Sequence, residues 1–202
     1  IAVAANIFDG SSDVSGNTIL LANPYPSAID ATRFLRNTIN QSLQISTLYL
    51  WTSNTLYTGG SYSQSDYASW NLTGSTTTST TPLENLRPNG KIAAGQGFFA
   101  KLFVDGNVRF DNSMRILQQS TSNTTFYRTA VGNTTQSDTI YDYQYPPLTQ
   151  EYDRYWINIK GANSNMFRQL LVGYIEGASN DLDLTYDAMT FTSSTIDIYT
   201  IV

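Results

Sequence analysis

The sequence predicts an all-β protein, specifically an antiparallel β-sandwich of jelly-roll-like form with one short helix near residues 28–37. Two observations predict this class. The chain consists mainly of short β-branched and aromatic runs separated by turn residues, which is the pattern of closely spaced strands. Nine such runs in 202 residues favour a sandwich or jelly roll, because two sheets can then bury their apolar faces against each other. The length and the 41% hydrophobic content suit one sizeable core, so we expect a single domain over residues 1–202.

The predicted strands are runs rich in Val, Ile, Thr and aromatic side chains. One precedes the predicted helix and eight follow it. They span residues 18–22, 45–52, 97–104, 107–111, 113–117, 126–130, 155–160, 167–175 and 196–202. The pair Asp105-Gly106 favours a two-residue type I′ turn, so the strands on either side of it are predicted to form a hairpin.

One helix interrupts the strands. Ser27 follows Pro26 and is a good N-cap, and Asp30 places a carboxylate near the positive end of the helix. Apolar residues then recur on one helical face, namely Ala28, Ala31, Phe34, Leu35 and Ile39. The pattern predicts a helix over about residues 28–37 that covers one end of the sandwich.

Composition excludes several classes of function. Charged residues are 13% of the chain, against roughly 25% in ordinary soluble domains, and Ser, Thr and Asn are abundant, as in secreted β-proteins. The net charge is -5 and the eleven Lys and Arg residues are scattered, so we expect no nucleic-acid partner.

No stretch approaches the roughly 20 apolar residues that a membrane-spanning helix needs. The chain does not start with Met and ends in strand-like sequence, so we expect it to be a fragment of a longer secreted polypeptide.

The chemistry available to the chain is narrow. It contains no Cys and no His, so no disulfide, thiolate metal site, Ser-His-Asp triad or His-ligated zinc is possible within it. A glycosidase would need only two carboxylates, but nothing in the sequence places any two of Glu84, Glu151 and Glu176 on opposite sides of one cleft. We therefore expect a protein that is not an enzyme.

One loop carries candidate metal ligands. Asn180, Asp181, Asp183 and Asp187 crowd hard oxygen ligands into one segment, which suits calcium. The loop is not an EF-hand, because Tyr186 stands where the sixth-position glycine is required. The alternative is an Asx-rich turn in which these side chains satisfy local backbone N–H groups.

Aromatic side chains are the other candidate contacts. Trp51 and Trp70 are expected in the core, whereas tyrosines set among Gly, Ser and Gln are expected to be exposed to a ligand or partner. These are Tyr57, Tyr62 and Tyr67. A second group, Tyr141, Tyr143 and Tyr145, occupies alternate positions before two prolines and offers an amphipathic contact surface for a partner chain or a glycan. Packing against the domain's own edge is the alternative.

Three segments carry a family resemblance: Asn23-Pro24-Tyr25-Pro26-Ser27, the glycine-rich run 90–99, and Asn112-Ser113-Met114-Arg115. Together with residues 170–178, they resemble a domain of large secreted surface proteins of Bacteroidota, found shortly before the sorting signal of type IX secretion. The resemblance covers roughly residues 18–202 and implies an extracellular or cell-surface location. Asp138-Thr139-Ile140 also resembles the short O-glycosylation acceptor of such proteins, which would place a glycan on Thr139.

These observations lead us to expect a non-catalytic structural or adhesive module that contacts other domains of the same polypeptide. Two alternatives remain open. A carbohydrate-binding module of a polysaccharide-degrading enzyme would bind surface glycans through exposed aromatic faces. A self-associating fibre or sheath subunit would associate with copies of itself through the strand predicted at residues 196–202.

Overall fold

In the computed structural model, described residues are 1–5, 17–52, 60, 66–78, 87–116, 153–161, 167–189 and 198–200. They form mostly antiparallel strands with two short helices, which confirms the all-β prediction; the sandwich closure stays a prediction. The strands are β1 Ala2–Ala5, β2 Asn17–Ala22, β3 Ile29–Asp30, β4 Leu48–Trp51, β5 Tyr67–Trp70, β6 Lys91–Ile92, β7 Gly97–Leu102, β8 Gly106–Arg109, β9 Asp153–Lys160 and β10 Phe167–Tyr174. The helices are α1 Ala31–Arg36 and α2 Thr38–Ser42, and a 3-10 turn spans Asn112–Met114.

The largest sheet has four strands in the order β2-β7-β4-β5, and the pairs β1-β8, β3-β6 and β9-β10 form two-stranded sheets. Directly opposed residues of an antiparallel pair share a face, so the register defines the core side of the large sheet. Leu21 lies opposite Phe98, and Leu48 lies opposite both Ala100 and Trp70. Leu21, Phe98, Leu48 and Ala100 are buried.

Helix α1 covers this core face. The ring of Phe34 is fully buried, and it meets Phe98 edge-on at 5.6 Å between centroids and Phe110 at 5.1 Å. Burying a side chain of this size contributes roughly 3 kcal/mol. The helix therefore fixes the large sheet to the end of β8.

The predicted helix starts later than expected and is followed by a second one. Asp30, rather than Ser27, is the N-cap, because its carboxylate accepts hydrogen bonds from the backbone N–H groups of Thr32 and Arg33. Ile29 and Asp30 itself pair as β3 with β6. Asn37 ends α1 and caps α2 in turn.

Two strand predictions are wrong. The hairpin predicted at Asp105-Gly106 does not form, because β8 pairs with β1. The backbone N–H groups of Phe103 and Val104 both donate to the carbonyl of Leu43, which draws the chain toward the end of α2. Residues 113–117 do not form a strand within the described part of the chain: Asp111 caps the 3-10 turn, and only Arg115 makes a bridge, to Ile29. The predicted strand 126–130 lies outside the described residues, and residues 198–200, within the predicted last strand, are not in strand conformation.

Candidate functional site

The three segments that carry the family resemblance meet in space. Asn23 is buried, and its side-chain amide donates to the carbonyls of Ser27, Ile92 and Ala93 at 2.8 to 3.1 Å. Its side-chain oxygen accepts a hydrogen bond from the backbone N–H of Tyr25. The first segment is thus fastened to the glycine-rich run, and the buried amide is satisfied by framework contacts.

The third segment closes on the first from the other side. Arg115 donates from Nε to the hydroxyl of Ser27 at 2.9 Å, and its guanidinium lies 5.5 Å from the ring centre of Tyr25. The N–H of Ile116 donates to the carbonyl of Ala28. These contacts show that the three segments that carry the resemblance hold the fold together; we call them the framework.

The glycines of the second segment have different roles. Gly90 and Gly95 have φ of 78° and 69°, a region that favours glycine. A Cβ added at Gly90 would lie 2.5 Å from Cζ2 of Trp70, whereas nothing lies within 4 Å of one added at Gly95. Gly97, by contrast, is not sterically required, because the nearest atom to an added Cβ is 3.7 Å away.

Both predicted core tryptophans are half-buried, and they lie on opposite faces of the large sheet. Trp70 packs against the hydrophobic core, and its buried indole N–H has no hydrogen-bond partner among the described residues. Trp51 meets Tyr67 edge-on at 5.0 Å between centroids, and Tyr67 meets Phe99 at 5.5 Å. Tyr67 was expected to be exposed, but it is half-buried in this row of rings.

Tyr49 lies on the same face of the sheet as Trp51 and is buried. Its hydroxyl donates to the carbonyl of Met189 at 2.7 Å. Burial raises its pKa far above the ordinary value, although a hydrogen bond with Thr47 acts in the opposite direction.

The candidate calcium loop forms a turn closed by its own side chains. The carboxylate of Asp183 accepts a hydrogen bond from the N–H of Thr185, and the carboxylate of Asp187 accepts one from the N–H of Asp183. Asn180 and Asp181 are exposed. Among the described residues, no group of three or more Asp, Glu, His or Cys side chains is arranged to hold a metal ion. Calcium binding by the four predicted ligands stays a prediction.

The hairpin of β9 and β10 has two different faces. Its inner face packs on the turn after β5: Trp156 donates to the carbonyl of Ser75 at 3.1 Å, and Gln169 accepts from the N–H of Thr77. A Cβ added at Gly173 would lie 2.7 Å from Cγ2 of Thr73, so the two segments are in close contact.

The outer face of this hairpin is mainly apolar and partly exposed. By register, its cross-strand pairs are Asp153–Tyr174, Tyr155–Val172, Ile157–Leu170 and Ile159–Arg168. Tyr155, Ile157 and Tyr174 are 59%, 47% and 68% exposed, and the two tyrosine rings meet edge-on at 6.1 Å. The alternation Tyr155, Ile157, Ile159 was a signal in the sequence that could have identified this surface.

A cleft of about 480 Å³ lies between the end of α2 and the turn at residues 179–185. Its apolar side is formed by Leu35, Ile45, Leu72, Leu182 and Leu184, and its polar side by Gln41, Gln44, Ser179, Asp183 and Thr185. Sequence reasoning missed this cleft, because its two walls are more than 100 residues apart along the chain and neither glutamine belongs to a motif.

The other predicted contact residues, like the predicted glycan acceptor, lie outside the described residues. These are Tyr57, Tyr62, Tyr141, Tyr143, Tyr145 and the predicted glycan acceptor Thr139.

The chain is thus a β-rich protein of antiparallel sheets, in which the three segments that carry the resemblance hold the sheets and helices together. Within the described ranges, no helix has the length and hydropathy needed to cross a membrane. The chain belongs to the family described as a domain of unknown function, DUF8693, which matches residues 3–202. No curated protein and no solved structure matches the chain.

Proposed function

We propose that the chain is a non-catalytic structural and adhesive module of a large extracellular surface protein, of the kind exported by type IX secretion. The hydroxyl-rich, weakly charged composition supports an extracellular location. The convergence of the three resembling segments in framework contacts supports a structural role. The observation that carries the adhesive part is the mainly apolar, partly exposed outer face of the β9-β10 hairpin.

The occupant we propose for this face is a second copy of the domain. Asp153 and Arg168 stand at opposite corners of the face, and the positions between them are apolar. When two such faces stack about a two-fold axis parallel to the strands, Tyr155 meets Val172 of the second copy and Ile157 meets Leu170. No like charges then oppose each other, so the face is self-complementary.

The size of the face makes each contact weak. Eight residues of an antiparallel strand span roughly 27 Å, and among the described residues the face is two strands wide. The surface that this face can bury is therefore smaller than the ~800 Å² per partner of a stable interface. Adhesion through it requires several copies on each surface, which is how repeated modules of a large protein gain avidity.

Sedimentation velocity from about 10 μM to about 1 mM tests this contact. We expect the weight-average sedimentation coefficient to rise with concentration, and Ile157→Lys to abolish the rise because it places a charge in an apolar contact. Leu20→Lys is the matched control, since Leu20 is a 67% exposed strand residue of a different sheet. A monomer at every concentration, or equal effects of both variants, would refute self-association through this face.

A further inference from the structure

We propose that the cleft between the end of α2 and the turn at residues 179–185 binds a short stretch of a neutral glycan. The inference is independent of the self-association proposed above, because the cleft shares no residue with the outer face of the hairpin. Three features carry it. The backbone of Gln44 has an unusual conformation for glutamine, polar side chains that line the cleft have no hydrogen-bond partner among the described residues while the opposite wall is held in place, and the composition of the walls suits a sugar.

Gln44 is the only non-glycine residue with positive φ in the described part of the chain, at 53°. It follows Leu43, the C-cap of α2, a position where glycine or asparagine is the usual occupant. A glycine there would remove the steric strain of the left-handed conformation. Such outliers concentrate at ligand clamps, and the exposed side chain of Gln44 lines the cleft.

The polar groups that face the cleft are available. Within the described residues, the side-chain amides of Gln41 and Gln44 make no hydrogen bond, and Asp183 uses only Oδ1, on the N–H of Thr185. The opposite wall is nevertheless fixed. The carbonyl of Tyr186 accepts hydrogen bonds from Asn71 at 2.6 Å and Thr73 at 2.8 Å. A rim that is fixed before binding lowers the entropic cost of binding.

The lining selects the class of ligand. Its described residues include one carboxylate and no Lys or Arg, which disfavours anions. Amide and carboxylate groups donate to and accept from neighbouring hydroxyls, while the leucine and isoleucine side receives the C–H face of a sugar ring. An extended peptide fits less well, because the described lining residues lie in helix, loop and turn and offer no strand edge for main-chain pairing. The volume of about 480 Å³ is within the usual range of small-ligand sites.

The test uses neutral oligosaccharides as probes, in two arms: fragments of plant β-glucan, xylan and mannan, and neutral glycans released from glycoproteins. Binding to the full chain is followed by NMR, with the side-chain amide signals of Gln41 and Gln44 as local reporters. We expect at least one arm to shift these signals, and the arm that does so identifies the source of the glycan. Uronic-acid oligosaccharides and an unstructured peptide serve as comparison ligands.

The decisive variant is Gln44→Gly. We expect it to weaken binding at least tenfold while the Tm stays unchanged or rises, because the backbone strain is relieved. Ser42→Ala, on the same helix but outside the cleft, should leave binding intact, and Gln41→Ala should weaken it. Failure of every neutral probe, preferential binding of the charged sugars or the peptide, binding that survives Gln44→Gly, or a lower Tm for Gln44→Gly would each overturn the proposal.

Discussion

Replacing Gly90 with Ala should destabilise the protein through one identified contact. Gly90 is buried with φ of 78°, and an added Cβ would lie 2.5 Å from Cζ2 and 2.8 Å from Cη2 of Trp70. The left-handed conformation costs an alanine about 1 kcal/mol, and overpacking against a ring that packs on the core costs roughly 1 to 3 kcal/mol more. We expect a loss of about 2 to 4 kcal/mol in the free energy of unfolding.

Gly95 provides the matched control. Its φ of 69° is similar, but no atom lies within 4 Å of an added Cβ. Gly95→Ala should therefore cost only the backbone component, about 1 kcal/mol. For a chain of this length 1 kcal/mol corresponds to roughly 2 to 4 °C in Tm, so the two variants are distinguishable by thermal melts and by urea titration.

A double-mutant cycle assigns the difference to the ring. Trp70→Leu removes the atoms that an added Cβ would contact, so in that background Gly90→Ala should cost no more than Gly95→Ala does. If Gly90→Ala and Gly95→Ala cost the same in the unmodified protein, the proposed contact between Gly90 and Trp70 would be refuted.

Three further predictions concern buried and turn polar groups. Asn40→Ala should cost about 3 kcal/mol in urea titrations, because it leaves the buried carbonyl of Phe34 and the partly buried backbone N–H and C=O of Arg109 without the amide that pairs them. Exposed Asn89→Ala should cost less than about 1 kcal/mol. The free energy of unfolding should fall as pH rises above 10.0, the ordinary pKa of tyrosine, because burial raises the pKa of Tyr49 in the folded state and the unfolded state loses that proton first. The fall should be at most about 1.4 kcal/mol per pH unit. A Tyr49→Phe variant whose stability falls with the same slope would contradict this. Calcium should raise the Tm over that measured in excess chelator if Asn180, Asp181, Asp183 and Asp187 bind it, and Asp183→Asn should abolish the rise; equal melts in both conditions would identify the segment as an ordinary Asx turn.

The sequence predicted the parts of the fold that depend on local chemistry. Runs rich in β-branched and aromatic residues located β7, β9 and β10 to within a few residues, since such side chains fit the pleated, half-buried surface of a strand. The Asp105-Gly106 hairpin was wrong because a local turn signal does not show which strand occupies the neighbouring edge. The carbonyl of Leu43, distant in sequence, accepts the two N–H groups that would otherwise point toward a returning strand.

The candidate surfaces were less predictable, for a related physical reason. The cleft combines Gln41 and Gln44 with Asp183, and no local pattern connects a helix end with a turn so far along the chain. The positive φ of Gln44 could not be predicted from the sequence either, because glutamine has no preference for that conformation. Tyr67 was expected in solvent from its polar neighbours, yet it packs between Trp51 and Phe99 once β5 pairs with β4.

The positions of the buried asparagines explain why the framework and the two proposed surfaces can be tested separately. Asn23 links the turn after β2 to the end of β6 and the residue that follows it, and Asn40 links both helices to β8. Each amide is satisfied only when these elements adopt one relative position, so the pair favours one arrangement over other compact ones. Neither asparagine lines the cleft or lies on the outer face of the hairpin. Substitutions at Ile157 or Gln44 should therefore change association or binding without loosening the core, whereas substitutions at Asn23 or Asn40 should lower stability first and affect both surfaces only through unfolding.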